Sequence, residues 1–239
     1  TINSIYSDIN GNLFDPYNGK NDLEKGCINF IGDPDKRIKE DYLRILRYLR
    51  FFIAYSKQSH NTQLIRKLKS NIEGVSMLSK DRLLDELKKL INAKTLEKLS
   101  KDKTCMELIS IIFPELKNIN IFSKLNSIKR EIIENSDFIF LISLMVIDDT
   151  DNSDYFLYKF NISKKDEKRI KKISNFYKEK GGLKKFNEKD INEIFYYDGN
   201  QAVLDILNFK IIKSKKIDNS LIKLSKTYIN KIKPIIPIG

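Results

Sequence analysis

The sequence predicts a mainly α-helical protein in which a small β-hairpin precedes an all-helical array. Apolar residues recur at helical spacing in nearly every segment after residue 36, as in "RIKEDYLRILRYLRFFIAY" (37–55). By contrast, "TINSIYSDINGNLFDP" (1–16) is typical of two strands around Asn10-Gly11, because both residues of that dipeptide accept the positive φ of a tight hairpin turn. The segment between these regions, 17–35, is rich in turn-forming residues.

Ordinary start and stop signals bound the later helices. "SKDRLLDELKKLINA" opens with Ser79 as a predicted N-cap, "TCMELISIIFPEL" is interrupted at Pro114, and Gly181-Gly182 marks a turn between helices. The apolar run "FIFLISLMVI" (138–147) predicts a buried helix that belongs to the core. Further helices are predicted over 62–75, 120–147, 154–179, 187–210 and 216–233.

Composition places the chain among soluble globular proteins, since 41% of its 239 residues are apolar and 32% are charged. No apolar run reaches the roughly 18–20 residues of a membrane span, so no membrane partner is expected. The net charge of +12 is compatible with a polyanionic partner, and equally with a Lys-rich composition that has no such meaning. Cys27 and Cys105 lie far apart, which predicts a reducing, cytoplasmic location and argues against a zinc site.

The two ends of the sequence predict an internal piece of a longer protein. Thr1 replaces the usual Met and enters a strand-like pattern directly, without a signal peptide. The last residues, "IKPIIPIG", are apolar and resemble the beginning of another element.

A ladder of arginines follows the first strong helical pattern. On a helical wheel at about 100° per residue, Arg44, Arg47 and Arg50 lie on one face with Asp41 and Tyr48, opposite an apolar arc. One interpretation is a solvated face with an Asp41–Arg44 ion pair, which contributes only tenths of a kcal/mol.

The other interpretation is recognition of a nucleobase. Cytosine and adenine each present an amino donor beside a ring-nitrogen acceptor, whereas uracil and guanine present a carbonyl beside an N–H. A carboxylate only accepts and a guanidinium only donates, so Asp41 and Arg44 one turn apart would accept C or A and exclude U or G. The arginines further along would hold the phosphates of the same nucleotide.

The ordered motifs around this ladder resemble the bacterial class II tRNA nucleotidyltransferase (CCA-adding enzyme) and poly(A) polymerase family. The similarity is clear over residues 1 to about 92, and beyond that only the helical character and the closing "PIIP" agree. The matching stretches are Thr1-Ile2-Asn3, "DPYNGKNDL" (15–23), "IGDPDKRIKEDYLRILRYLRF" (31–51) and "LSKDRLLDEL" (78–87).

The resemblance implies template-independent addition of CCA to tRNA 3′ ends from CTP and ATP. Carried over, the nucleotide-binding residues are Asp41 and Arg44 as base readers, with Arg47 and Arg50 in the same pocket. Supporting roles fall to Glu40 at the helix start, to Asp15 and Gly19 in a loop thought to move between C and A addition, and to Asn3, Arg82 and Glu86. Arg82 and Glu86, at i,i+4, are also compatible with a simple pair within one helix.

Several features of the family are missing from this sequence. The Gly-Ser-x-x-x-Asp-x-Asp segment that holds Mg²⁺ does not occur, nor does the Gly-Gly-x-Val-Arg-Asp element. We therefore expect no catalytic residue and no metal ligand in this chain, and no activity from the fragment alone. The family's usual Pro or Ala after Glu-Asp is Tyr42 here, and His60 is expected to be an ordinary surface or loop histidine.

The resemblance also implies three parts: the C-terminal remnant of a nucleotidyltransferase head (1–33), a helical neck with the nucleotide-specificity helix (34–100), and a helical body and tail that binds tRNA (101–239). The Lys-rich stretches 164–172 and 210–216 would follow the tRNA backbone or form a solvated face. Tyr196-Tyr197 is expected to pack in the core rather than to stack on a base.

Two alternatives remain open at this stage. The first is a poly(A) polymerase, or an A-adding or CC-adding enzyme of the same family. The second is a non-catalytic helical RNA-binding protein, which accounts for the basic charge but not for Asp41 beside the arginines.

Overall fold

The computed structural model describes residues 4–179, 188–216, 218–229 and 231–232, and it confirms the predicted fold class. Within these residues a two-stranded antiparallel sheet precedes a succession of helices. The strands are β1 (Tyr6–Ser7) and β2 (Leu13–Phe14). The helices are α1 (Gly19–Lys25), α2 (Pro34–Glu40), α3 (Leu43–Tyr55), α4 (Thr62–Ser70), α5 (Lys80–Leu90), α6 (Ala93–Lys101), α7 (Lys103–Ile112), α8 (Ser127–Glu134), α9 (Phe138–Val146), α10 (Asn152–Phe160), α11 (Lys164–Glu179), α12 (Glu188–Asp198), α13 (Asn200–Lys213) and α14 (Asn219–Ile229), with 3₁₀ segments at Ile72–Met77 and Ile119–Lys124.

The β-hairpin lies where the sequence predicts it, but its turn differs. Tyr6 pairs with Phe14 and Ser7 with Leu13, so residues 8–12 form a five-residue connection. The Asp8 carboxylate accepts the backbone N–H groups of Asn10 (2.9 Å) and Asn12 (2.8 Å). Of Asn10 and Gly11, only Gly11 has a positive φ (84°), so the prediction of a two-residue turn was wrong. An Asp side chain that bonds the backbone two residues on stabilises this longer turn instead.

Side-chain caps divide the predicted helices into shorter ones. Ser79 accepts the Arg82 N–H at 3.4 Å, which confirms the predicted start of α5. The predicted helix over 120–147 consists of a 3₁₀ segment followed by α8 and α9, because Asn126 and Asp137 each accept a backbone N–H and begin a new helix. The predicted turn at Gly181-Gly182 lies outside the described residues.

The chain divides into two compact units, Thr1–Pro114 and Glu115–Gly239. In the first unit, α3 is buried along one side against α5. The core of this unit includes Ile45, Leu46 and Leu49 of α3 and Leu87 of α5. The predicted division into head remnant, neck and body stays a prediction.

The second unit is built around α9. Residues 140–147 are all buried there, which confirms the predicted core helix, and α11 and α13 pack against it. Tyr196 and Tyr197, expected in the core, are 46% and 71% exposed, so that prediction was wrong. None of the helices in the described residues has both the length and the apolar character needed to cross a membrane.

Candidate nucleotide-binding site

The helical pattern over 37–55 is interrupted at Asp41. Asp33 caps the start of α2 by accepting the Lys36 N–H at 2.9 Å, and Pro34 takes the first helical position. The Asp41 backbone is then extended (φ −155°, ψ 102°), and its carboxylate accepts the Leu43 N–H at 3.2 Å. The prediction of one continuous helix was therefore wrong, because α3 begins anew at Leu43. An Asp side chain that accepts a nearby backbone N–H offers the backbone an alternative to the helix at that point.

The break gives Asp41 and Arg44 different partners. Arg44 donates to the Glu40 carboxylate (2.8 Å) and to the carbonyl oxygen of Arg37 (2.5 Å). Asp41 instead accepts Arg82 Nη2 at 2.9 and 3.1 Å. An Asp41–Arg44 pair on successive turns of one helix is consequently not the arrangement found.

Glu40 joins two arginines. One of its carboxylate oxygens lies 2.6 Å from Arg37 Nη1 and 2.8 Å from Arg44 Nη1. The Arg44 hydrogen bond, followed by the charge of Arg37, holds the pKa of the Glu40 carboxyl below its ordinary value. The two ion pairs of Glu40 span the break between α2 and α3, and its predicted role in supporting the helix start stays a prediction.

Arg82 connects α5 to the break at Asp41 and Glu86 connects α5 to α3, so they do not form the simple pair within one helix. Arg82 binds Asp41, whereas Glu86, only 2% exposed, accepts Arg50 Nε at 2.5 Å and lies 3.9 Å from Arg47 Nε. Arg50 is thereby held by a buried carboxylate, while Arg47 keeps 42% of its side-chain surface exposed. The arginine ladder is therefore part of a charge network between two helices.

A cleft of about 420 Å³ opens beside this network in the first unit. Three guanidinium groups and several aromatic rings line it, which is the combination that binds phosphates and stacks on a base. Arg44 and Arg47 are among the lining residues; Asp41 and Arg50 are not. The lining residues are Ser4, Tyr6, Tyr17, Ile28, Asn29, Phe30, Ile31, Arg37, Arg44, Arg47, Tyr48 and Phe51.

Arg37 and Tyr48 were not singled out from the sequence. Arg37 lies seven residues before Arg44, the spacing of two helical turns, and that signal was present. Tyr48 was placed on the charged face, yet it is 4% exposed and its hydroxyl bonds His60 at 3.0 Å. Its partner, His60, lies in the loop after α3, so a helical wheel of α3 alone could not predict that Tyr48 is buried.

The loop predicted to carry Asp15 and Gly19 is half helical. Asp15 accepts the backbone N–H groups of Gly19 (2.7 Å) and Lys20 (2.8 Å), and Gly19 is the first residue of α1. The N–H groups of Lys20 and Gly19 lower the pKa of the Asp15 carboxyl. Both residues therefore fix the start of a short helix, and Asn3 lies outside the described residues.

His60 lies in a loop, as expected, but it is not a surface residue. Its imidazole is 13% exposed and stacks on Phe52 with the ring centroids 3.5 Å apart. Nε2 lies 3.1 Å from Asp102 Oδ1 and 3.8 Å from Cys105 Sγ. Burial raises the pKa of the Cys105 thiol, whereas the Asp102 pKa is lowered because the Cys105 N–H and His60 outweigh the effect of burial.

The described residues thus form a mainly helical protein with an arginine-lined and aromatic-lined cleft, which fits the nucleotide-binding class that the motifs predict. No family model matches the sequence. The CCA-adding enzyme of Staphylococcus saprophyticus is 28% identical over 247 residues, which covers 99% of this chain and 54% of that protein. The human mitochondrial CCA tRNA nucleotidyltransferase 1 is 40% identical over 93 residues, which covers 38% of this chain and 21% of that protein.

The fold has a counterpart among solved structures. The CCA-adding enzyme of Bacillus stearothermophilus, solved in complex with CTP, matches with a TM-score of 0.65 at 16% identity, over 95% of this chain and 56% of that one. Sequence similarity to CCA-adding enzymes therefore extends over nearly the whole chain, which confirms the resemblance drawn from its motifs. The solved structure, at 16% identity, shows that the fold is shared. The two staphylococcal enzymes that match nearly all of this chain are about twice as long, so the chain spans about half of their length.

Proposed function

We propose that this chain is the nucleotide-selecting and tRNA-binding portion of a cytoplasmic tRNA nucleotidyltransferase that adds CCA from CTP and ATP. The observation that carries the proposal is the cleft of Arg37, Arg44 and Arg47 among aromatic rings, in a chain whose relatives are named CCA-adding enzymes. Guanidinium groups bind a triphosphate through paired N–H donors, and a tyrosine or phenylalanine ring supplies a face for any base.

Base choice would rest on Arg44 as donor and Asp41 as acceptor. Arg44 lines the cleft, and Glu40 holds its guanidinium in place, so less side-chain entropy is lost when a base binds. Asp41 is 20% exposed. Its carboxylate accepts the Leu43 N–H and two contacts from Arg82 Nη2, so of about four acceptor positions about one is left for an amino group. In this proposal Arg82 acts as a positioning residue that orients Asp41, and Glu86 does the same for Arg47 and Arg50.

The predicted Mg²⁺ belongs to the transfer step. Among the described residues that line the cleft there is no Asp or Glu, so these side chains do not fit a hard cation that needs carboxylate ligands. The contribution of this chain is accordingly to bind and select the nucleotide. The ligands for Mg²⁺ are expected outside this chain.

Contact with tRNA is proposed for the exposed lysines at the start of α11. Lys164, Lys165 and Lys168 are exposed, whereas Lys171 pairs with Glu167 and Lys172 with Asp198. Within the stretch 164–172 the first three lysines therefore supply the charge that neutralises phosphates, and they make binding salt-dependent.

The decisive experiment joins this chain to the head domain of a CCA-adding enzyme and measures incorporation of each nucleotide into tRNA that lacks CCA. We expect incorporation of C and A, and a stop after three nucleotides. A long A tail would indicate a poly(A) polymerase, and failure to incorporate either nucleotide would defeat the proposal.

The role of the base readers is tested in the same fusion. Asp41→Ala or Arg44→Ala should relax the choice between nucleotides more than either change weakens tRNA binding. Arg66→Ala, at an exposed arginine of α4, serves as the matched control and should change neither property. If U remains excluded in both variants, the assignment of Asp41 and Arg44 is wrong.

A further inference from the structure

We propose that His60, Asp102 and Cys105 form a binding site for a divalent transition-metal ion that accepts thiolate ligands, such as Zn²⁺. None of the three ligands lines the nucleotide cleft, although Tyr48 lines the cleft and also bonds His60. The existence of the site does not depend on the proposed function. It brings together the loop after α3 and the first turn of α7, two parts of the first unit that are far apart in sequence.

The three ligand atoms lie near the separations that one tetrahedral ion requires. Zinc bonds of about 2.0–2.3 Å at tetrahedral angles place any two ligand atoms roughly 3.3–3.6 Å apart. His60 Nε2 lies 3.1 Å from Asp102 Oδ1 and 3.8 Å from Cys105 Sγ. All three atoms lie within 4.8 Å of one another, so shifts of a few tenths of an ångström in His60 and about an ångström elsewhere complete the geometry.

The imidazole is already oriented for coordination. Phe52 stacks on its ring with the planes 14° apart, and the Tyr48 hydroxyl bonds Nδ1 at 3.0 Å. A metal-ligating histidine ordinarily has its second ring nitrogen hydrogen-bonded, which fixes both the tautomer and the ring direction. With an ion on Nε2 the ring proton would reside on Nδ1, and the Tyr48 hydroxyl oxygen would accept it, while Nε2 is directed at Asp102 and Cys105.

The donor set selects the ion. A thiolate and an imidazole favour Zn²⁺ or Co²⁺ over Mg²⁺ and Ca²⁺, which prefer oxygen. One thiolate and one carboxylate carry two negative charges, so they neutralise a divalent ion in a region where Cys105 is fully buried. His60 and Asp102 keep 13% and 22% of their side-chain surface exposed, so these two ligands are not closed off from solvent.

The first test uses Co²⁺ as a spectroscopic probe on the whole chain after treatment with a chelator. We expect one equivalent of Co²⁺ to produce a thiolate-to-cobalt charge-transfer band that Zn²⁺ displaces and Mg²⁺ does not. The band should disappear in Cys105→Ser and persist in Cys27→Ser, the matched control at the other cysteine of the sequence. The absence of a band that saturates at one equivalent, or a band that follows Cys27, would overturn the proposal.

A second measurement leaves all three ligands intact. In the Cys27→Ser chain, alkylation of the buried Cys105 requires local opening, and an ion that binds only the closed state slows it by the factor 1 + [Zn²⁺]/Kd. At about 100 times Kd, as determined by competition with Co²⁺, the rate should fall by about 100-fold. A rate that Zn²⁺ leaves unchanged would overturn the site even if the Cys105→Ser chain does not fold.

Discussion

Glu86 is predicted to be the residue on which the stability of the arginine network depends. Its carboxylate is 2% exposed, accepts Arg50 Nε at 2.5 Å and lies within 3.9 Å of Arg47. Removing one partner of a buried ion pair costs about 3–5 kcal/mol, because the other charge is left buried without compensation. Arg50 has 24% of its side-chain surface exposed, and its guanidinium carbon lies 4.3 Å from the centroid of the Phe51 ring. Water and the ring would therefore partly stabilise the charge of Arg50 when Glu86 is replaced. We therefore expect Glu86→Gln to lower the free energy of unfolding by about 2–3 kcal/mol.

The assay is denaturant unfolding of a double-mutant cycle. Glu86→Gln, Arg50→Gln and the double variant should give a coupling energy of about 2 kcal/mol, within the range for residues of one network. The matched control is Glu167→Gln, which removes a carboxylate from an exposed pair with Lys171 at 2.6 Å on α11 and should cost only about 0.3–0.5 kcal/mol. A coupling energy below about 0.5 kcal/mol at Glu86 would refute the reasoning, since the pair would then behave like a surface ion pair.

Three further outcomes are expected. Burial lowers the pKa of Lys213 to about 8. Between about pH 8 and 10.5 the unfolded chain therefore binds more protons than the folded chain, so the stability of the protein relative to Lys213→Met should rise by about 3 kcal/mol over that range. A stability difference that does not change with pH would contradict this. A Cβ at Gly74 would lie 2.1 Å from the Tyr42 ring, so Gly74→Ala should cost about 1–3 kcal/mol in denaturant unfolding, and adding Tyr42→Ala should remove most of that effect. Arg37→Gln should weaken CTP and ATP binding equally in a titration, because an arginine of the cleft that contacts shared phosphates does not distinguish bases; a loss confined to one nucleotide would assign Arg37 to the base instead.

Local periodicity was sufficient to predict most of the fold. The hairpin, the succession of helices, the Ser79 cap and the buried helix at 138–147 all follow from signals within a few residues of each element. The break at Asp41 did not follow, because apolar residues keep a helical period on both sides of it. A single side-chain hydrogen bond to the Leu43 N–H accompanies the break, and the hydrophobic pattern does not record it.

The site was harder to predict, because its partners are distant in sequence. Arg82 and Glu86 have the spacing of a pair within one helix, yet they bind Asp41 and Arg50 across helices, 41 and 36 residues away. His60 contacts Asp102 and Cys105 over 42 and 45 residues, which spacing between cysteines could not reveal. Residue type and order identified which side chains matter, while tertiary packing decided which of them meet.

Glu40 links two helices across the break at Asp41. One of its carboxylate oxygens lies 2.6 Å from Arg37 Nη1 on α2 and 2.8 Å from Arg44 Nη1 on α3. Because one carboxylate holds two guanidinium groups of the cleft, the loss of Glu40 would remove an ion-pair partner from both arginines at once.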